Sequence, residues 1–139
     1  MRLLIYLSVL VITMGNAVPA VSQGNSICLS YPSHVESLAR RDLATHDYDR
    51  AETLLTLGVV ERTYCIRHST GEAKTRNALW GASDIYAEAI GYGFEGNTSM
   101  ANRLKAQVAQ ITGGILTSGA SASDKAYARK LFYEANDIP

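Results

Sequence analysis

Residues 45–68 read THDYDRAETLLTLGVVERTYCIRH, and this stretch decides the fold. Its apolar positions mark one buried side of an α-helix. These positions are Ala51, Leu54, Leu55, Val59 and Tyr64. With Thr45 or Asp47 as its N-cap, the stretch predicts a helix from near Asp47 to near His68. Gly58 lies within it and allows a neighbouring helix to approach closely.

Four more helices are predicted on either side of this one. Ser33 followed by Glu36 is a capping box that opens a helix over about 34–45, with Val35, Leu38, Ala39 and Leu43 facing inward. Ser69 with Glu72 opens another over about 72–91. Thr98 or Ser99 begins the next, with Met100, Leu104, Val108 and Ile111 in one stripe, and Gly113–Gly114 ends or loosens it. The last covers about 123–135, with Ala126, Tyr127, Leu131 and Phe132 inward.

The mature chain shows no sustained strand-type alternation, and its many Ala, Leu, Lys, Arg and Glu residues favour helices. The connections are short, so successive helices are expected to lie antiparallel. We therefore predict an all-α fold of about five helices, an antiparallel helical bundle or a short stack of helical hairpins. The single domain covers 33–139 and follows an extended lead-in at 21–32.

Residues 1–20 have the pattern of a secretory signal peptide. Arg2 precedes an apolar run from Leu3 to Met14, and Val18 and Ala20 form a small-residue cleavage site. The alternative is an uncleaved membrane anchor, but the run is shorter than the ~20 apolar residues that a span needs. We expect a secreted or periplasmic protein whose mature chain does not insert stably into membranes. With 13 basic and 13 acidic residues in all, it lacks the basic surface expected for nucleic-acid binding.

Cys28 and Cys65 are the two cysteines, and both lie in the predicted mature chain. An exported chain with an even number of cysteines favours a disulfide, which here would close a long loop and contribute about 3–4 kcal/mol. Two alternatives are a zinc site that adds His68 and a further histidine, and a Cys65–His68 nucleophile pair. We expect the disulfide, with His68 at the helix C-terminus, and no metal or cofactor.

The span LARRDLATHDYDRAETLLTLG, residues 38–58, resembles one tetratricopeptide unit. The likeness lies in HDYDRAETLL: a turn at Asp47, an aromatic Tyr48, a small Ala51 and then paired leucines. In that family these positions begin the second helix of a hairpin, and the small residue lets the two helices approach closely. Ile85 stands where a second unit would repeat the small residue. The resemblance implies a helical hairpin that contributes to a protein-binding surface.

Catalytic signatures are not found in this sequence. Asp47 with Asp49 and Asp84 with Glu88 offer paired carboxylates, and we interpret both pairs as exposed helix charge. GYGFEG at 91–96 has no neighbouring Lys and no preceding strand, so we interpret it as a loop that joins two helices rather than a phosphate cradle. We expect no catalytic residues.

Trp80, Tyr86, Tyr92 and Phe94 cluster in and just after the third helix, either as a recognition surface or as core. We predict a small exported, non-catalytic module that binds a protein or peptide through the groove or face between its helical hairpins, with these four aromatics as candidate contacts. The alternative is a small exported enzyme or enzyme inhibitor that acts on an anionic ligand. In that alternative a group of cations collects around the anion: Arg62, Arg67, Arg76, Arg103 and Lys105. We expect these cations to be solvated helix surface instead.

Overall fold

The computed structural model describes residues 27–138, so the predicted signal peptide and the first part of the lead-in, 21–26, lie outside the described residues. A 3₁₀ turn, Ile27–Leu29, precedes five helices. They are α1 His34–Ala44, α2 Tyr48–Arg67, α3 Gly71–Phe94, α4 Thr98–Leu116 and α5 Ala122–Ala135. Residues 27–138 contain no strand, and the predicted all-α fold with five helices is confirmed.

The caps of the helices agree only in part with the sequence patterns. The Ser33 capping box is confirmed: Ser33 Oγ accepts from Glu36 N at 3.2 Å, and Ser33 N donates to Glu36 Oε1 at 2.7 Å. The box predicted at Ser69 is wrong, because Thr70 is the N-cap of α3. Asn97 rather than Thr98 or Ser99 caps α4, through a bond from Met100 N.

Of the two effects predicted for Gly113–Gly114, ending or loosening α4, the first is wrong, because the helix continues to Leu116. A glycine costs a helix interior only about 1 kcal/mol relative to alanine. Beyond the glycines, Ile115 is buried against Leu79 and Ala128, and this burial offsets that cost.

Helix α3 lies at the centre of the molecule and contacts the other four helices. Its apolar face packs on α4 and α5 through buried side chains: Leu79, Ala82, Ala89 and Tyr92 from α3, and Leu104, Val108, Ala128 and Leu131 from the other two. The predicted inward positions of α5 hold at Leu131 and are wrong at Ala126, which is exposed. The apolar core is therefore concentrated on the α4–α5 side.

The face that α3 turns toward α1 and α2 is different: Ala87 packs there against Ala39 and Leu55, but most of its buried positions are glycines and polar residues. These are Asn77, Gly81, Asp84, Glu88 and Gly91, and the facing stripe of α2 is Ala51, Leu55, Gly58, Arg62 and Cys65. A Cβ at Gly58 would lie 3.0 Å from Asp84 Oδ2, and one at Gly81 would lie 3.3 Å from Arg62 Cβ. The missing side chains let α2 and α3 pack closely around a polar interior.

The chain repeats a helical hairpin. The loop after α1 has His46 at φ 63°, and Asp47 N donates to Asp42 O at 2.9 Å. The loop after α3 matches it 50 positions later, with Gly96 at φ 80° and Asn97 N donating to Tyr92 O at 2.8 Å. Positions with the same offset are buried in both hairpins: Ala39 and Ala89, Ala51 and Ala101, Arg62 and Thr112, Cys65 and Ile115. Helices α1 and α2 thus correspond to α3 and α4, and α5 follows as a further helix.

The predicted disulfide joins Cys28 to Cys65, with their Cα atoms 5.3 Å apart and a sequence separation of 37. His68 is the C-cap of α2, as expected, and its ring stacks on Tyr64 at 4.0 Å. Within residues 27–138, none of the helices has the length and apolarity that crossing a membrane requires.

Candidate functional site

Arg62 is the largest fully buried side chain of residues 27–138, at 0% exposure. Its Nε donates to Glu36 Oε2 at 3.0 Å, and Nη1 donates to Ile27 O at 2.7 Å and to Asn77 Oδ1 at 3.0 Å. Nη2 donates to Ser30 O at 2.9 Å and to Glu36 Oε1. All five N–H groups of the guanidinium are therefore satisfied. The prediction that Arg62 is solvated helix surface is wrong.

Three backbone carbonyls of the lead-in are held by this buried group of side chains. Arg62 binds two of them, and Asn77 Nδ2 donates to the third, Cys28 O, at 2.9 Å. The Cys28–Cys65 bond attaches the same segment to α2. The described end of the lead-in was predicted to be extended, but it begins with a 3₁₀ turn because its carbonyls converge on Arg62 and Asn77.

Two aromatic rings cover the guanidinium. Tyr31 and Trp80 stack with their centroids 5.7 Å apart and their planes 10° apart. Arg62 Cζ lies 4.9 Å from the Trp80 centroid and 5.5 Å from that of Tyr31, within cation–π range. The Tyr31 hydroxyl donates to Ser83 Oγ at 3.1 Å. The lead-in is thus continuous, through Tyr31, with the surface of α3.

Two buried carboxyl groups share one proton beside Arg62. Glu36 and Asp84 are both 0% exposed. Asp84 Oδ2 has no N–H or O–H donor among the described residues, and its neighbour is the Glu36 carboxylate. Burial, with the hydrogen bond and the charge of Glu36, raises the pKa of Asp84 to about 10. Burial opposes ionisation of Glu36 too, but hydrogen bonds from Asp84, Arg62 and Ser33 hold its pKa below the usual value. Asp84 is therefore protonated at neutral pH and donates to Glu36.

Glu88 is a third fully buried carboxyl group, one helical turn along α3 from Asp84. Burial raises the pKa of Glu88 to about 8. The Thr56 hydroxyl lies 2.8 Å from Glu52 O and 3.0 Å from Glu88 Oε1, and it has one hydrogen to donate. A protonated Glu88 donates to the Thr56 oxygen, and the Thr56 hydroxyl then donates to Glu52 O. The interpretation of Asp84 with Glu88 as exposed helix charge is wrong, because both face the close α2–α3 packing.

A cleft of about 310 Å³ opens beside this network. Its walls come from the lead-in, α1, α3 and α5: Tyr31, Arg40, Ser83, Tyr86, Ala87, Ile90, Tyr127, Lys130, Leu131 and Glu134. Helices α2 and α4 contribute no lining residue. The cleft therefore lies between α1, α3 and α5, with α3 as its floor.

The α1 wall of the cleft carries Arg40, whose side chain is 40% exposed. Its Nη2 donates to Ser83 Oγ at 3.2 Å and lies 3.9 Å from Asp84 Oδ1. Because Asp84 holds a proton, it does not neutralise this guanidinium. The neighbouring Arg41 is more exposed, at 63%, and does not line the cleft.

The four predicted aromatic contacts are not brought together in one surface. Tyr86 lines the cleft, and Trp80 lies beneath it in the stack with Tyr31. Tyr92 is 3% exposed and packs in the core, so its ring is not part of the surface that another protein could contact. Phe94 is 68% exposed and stacks on Tyr48 at 5.6 Å, at the end of α3.

The five cations that the alternative would place around an anion do not meet at one site. Arg62 is buried, Lys105 pairs with Asp137 at 3.1 Å, and three others are exposed on separate helices: Arg67, Arg76 and Arg103. Cys65 is in the disulfide and therefore unavailable as a zinc ligand or nucleophile.

Asp49, Glu52 and Glu95 form the acidic group of residues 27–138 in which ligand atoms lie within 4.8 Å of one another. Exposed acids often meet in this way, so the group by itself does not define a metal site.

Sequence reasoning did not identify the cleft residues Tyr31, Arg40, Ser83 and Lys130. Arg62 did carry a signal: it continues the spacing of Ala51, Leu55, Gly58 and Cys65 along one face of α2. Tyr31 carried none, because a single aromatic in a short lead-in has no periodicity to place it.

No family model, curated protein or solved structure matches this chain. Its function is therefore argued from the geometry of the cleft and of the buried network.

Proposed function

We propose that this protein is an exported, non-catalytic module that binds an extended segment of a protein partner in the cleft between α1, α3 and α5. The observation that carries the proposal is the cleft itself, which combines aromatic rings, apolar side chains and charges of both signs. Tyrosine and arginine are enriched among the residues that dominate protein interfaces. Here Tyr31, Tyr86, Tyr127 and Arg40 supply both types on one concave surface.

The floor of the cleft is well suited to binding because its side chains are held in place before a partner arrives. Tyr31 is stacked on Trp80 and hydrogen-bonded to Ser83, and Ser83 also accepts from Arg40. The lead-in that carries Tyr31 is bound by Arg62 and by the disulfide. A preorganised surface loses less side-chain freedom on association, which favours affinity.

The alternative is an enzyme or enzyme inhibitor that acts on an anionic ligand. General acid catalysis requires the acid to lie within hydrogen-bonding distance of the reacting group. The protonated carboxyl groups of Asp84 and Glu88 are both 0% exposed, so neither reaches a molecule in the cleft. This burial supports binding over catalysis. Both acids instead contact interior groups of α1 and α2.

Site-specific photo-crosslinking in the exporting cell tests the proposal. Ile90 lines the cleft and is 37% exposed, so a benzoylphenylalanine at position 90 faces the proposed partner. The matched control is the same residue at Gln107, which is exposed on α4 away from the cleft.

We expect a discrete adduct from position 90, identified by mass spectrometry, and none from position 107. Adducts that form equally at both positions, or only at position 107, would contradict the proposal.

A further inference from the structure

We infer that the segment bound in the cleft carries an Asp or Glu side chain, and that Arg40 binds its carboxylate. This inference deepens the proposed function and rests on it. It comes from the charges that remain unpaired once the buried network has been accounted for.

The buried network is electrostatically closed without Arg40. The charge of Arg62 is matched by Glu36, through two hydrogen bonds from Nε and Nη2. The next carboxyl group, Asp84, keeps its proton and donates a hydrogen bond to the same Glu36. No ionised carboxylate of this network is therefore left for Arg40.

Arg40 also has unused donors. Of its three nitrogens, Nη2 donates to Ser83 Oγ, Nε is buried, and Nη1 forms no hydrogen bond within residues 27–138, so the Nη1–Nη2 edge is the one that can meet a ligand. A guanidinium with a free edge binds a carboxylate in the bidentate geometry for which its fork is suited. Its partly buried position in the cleft makes such a pair stronger than one on an open surface.

The charges on the opposite wall, which is α5, indicate that the carboxylate binds on the α1 side of the cleft. Lys130 and Glu134 lie four residues apart on one face of α5, so that wall carries no net charge, although no ion pair within 4.0 Å joins the two. The remaining groups that face the cleft are hydroxyls and apolar side chains: Tyr31, Ser83, Tyr86, Tyr127, Ala87, Ile90 and Leu131. Arg40 is therefore the uncompensated charge of the cleft, and Glu134 directs an acidic side chain away from α5 and toward α1.

The occupant that fits is an extended segment with one acidic side chain next to an apolar one. The acid pairs with Arg40, and the apolar neighbour lies against Tyr86, Ile90 and Leu131. A cavity of about 310 Å³ is at the lower end of the range for ligand pockets, so it takes side chains rather than a folded element.

Panning of a random linear peptide library against the disulfide-bonded mature protein tests this inference. We expect the selected peptides to share an Asp or Glu beside an apolar residue. For one such peptide, dissociation constants are measured by fluorescence polarisation with the wild type, with Arg40→Gln, and with the peptide whose acid is replaced by its amide.

The expected loss is at least about tenfold for either change alone, with little further loss when the two are combined. Arg41→Gln is the matched control: it removes the same charge one residue along α1, outside the cleft, and should leave the affinity unchanged. If Arg40→Gln does not fold, the comparison of the acidic and amide peptides on the wild type still decides the question.

The outcomes separate this inference from the proposed function. Peptides that crosslink to benzoylphenylalanine at position 90 but bind equally well as acid and amide overturn the acidic segment and leave the cleft as the binding site. Peptides that bind elsewhere, or a library that yields no binder, overturn both.

Discussion

At the scale of the residue, the behaviour of Arg62 follows from a complete set of partners. Removing a guanidinium from water is expensive, and it is tolerated where the charge is paired and every N–H is satisfied. Arg62 meets both conditions through Glu36, Asn77 and two lead-in carbonyls. Its stabilising role is therefore inseparable from the groups that surround it.

Replacing Arg62 by methionine is expected to destabilise the fold by about 3–5 kcal/mol, because it leaves the Glu36 carboxylate buried without its counter-charge. The measurement is chemical unfolding followed by circular dichroism. Arg103→Met, at an exposed position of α4, provides the control and should change stability by no more than about 0.5 kcal/mol. Equal effects of the two substitutions would show that the buried ion pair does not contribute as we describe.

Gly58→Ala is a second prediction at this scale. The added Cβ would lie 3.0 Å from both Asp84 Oδ2 and Glu36 Cγ, so these buried and hydrogen-bonded side chains must shift, and we expect a loss of about 1–3 kcal/mol. Gly114→Ala is the control, since nothing lies within 4 Å of its Cβ position in α4. It should stabilise the helix by about 0.5–1 kcal/mol. A Gly58→Ala variant as stable as the wild type in the same unfolding assay would refute the close packing.

At the scale of the element, sequence periodicity predicted all five helices but assigned polar residues to the surface by default. That default fails on the α2–α3 interface, where Arg62, Asp84 and Glu88 occupy positions in register with buried small residues. The spacing of residues in a helix shows which of them lie on the same face. Whether a charged residue on that face is buried depends on partners from other helices, which the spacing does not reveal. Glu36 and Asn77 supply those partners from α1 and α3.

The lead-in is the element whose stability depends most directly on the disulfide. Reduction of Cys28–Cys65 should lower the free energy of unfolding by about 3–4 kcal/mol, given its 37-residue separation. The measurement compares unfolding with and without dithiothreitol, and the chain has only these two cysteines, so reduction acts at one bond. The Cys28→Ser, Cys65→Ser double variant, unaffected by dithiothreitol, is the control. Unchanged stability on reduction would mean that Arg62 and Asn77 hold the segment alone.

At the scale of the whole molecule, one side has an apolar interior and the other has a polar interior. Helices α3, α4 and α5 enclose leucine, valine and alanine side chains, whereas α1, α2 and α3 enclose ionisable groups beside a small apolar cluster of Ala39, Leu55 and Ala87. The cleft lies above α3, where these two sides meet. The sequence predicted an all-α stack with a groove, but the location of the groove depends on how α1 and α5 both pack on α3, which local spacing does not encode.

The polar interior makes stability depend on pH. Glu88 has an ordinary pKa of 4.5 and one of about 8 when folded, so the folded chain keeps a proton that the unfolded chain loses. The contribution of Glu88 to the free energy of unfolding therefore falls as the pH rises from about 5 to about 8, by about 1.4 kcal/mol per pH unit. The contribution of Asp84 falls in the same way toward pH 10. Glu36, whose folded pKa is lowered, acts in the opposite direction, and only below about pH 4.5.

We expect the wild type to be less stable at pH 9 than at pH 6, and Glu88→Gln to reduce this difference, because the amide has no proton to lose. Unfolding at a series of pH values measures it, with Glu72→Gln as a control at an exposed position of the same helix. Parallel pH profiles for the wild type and Glu88→Gln would contradict the assignment of a buried proton to Glu88.

The most direct test of the account is a map of where a bound segment contacts the protein. ¹H–¹⁵N spectra of the mature protein are recorded while a library-selected acidic peptide is added. We predict that the shifted resonances belong to the cleft, around Tyr31, Arg40, Ser83, Tyr86 and Lys130. Shifts confined to exposed parts of α2 and α4, such as around Leu57 and Gln107, would contradict it.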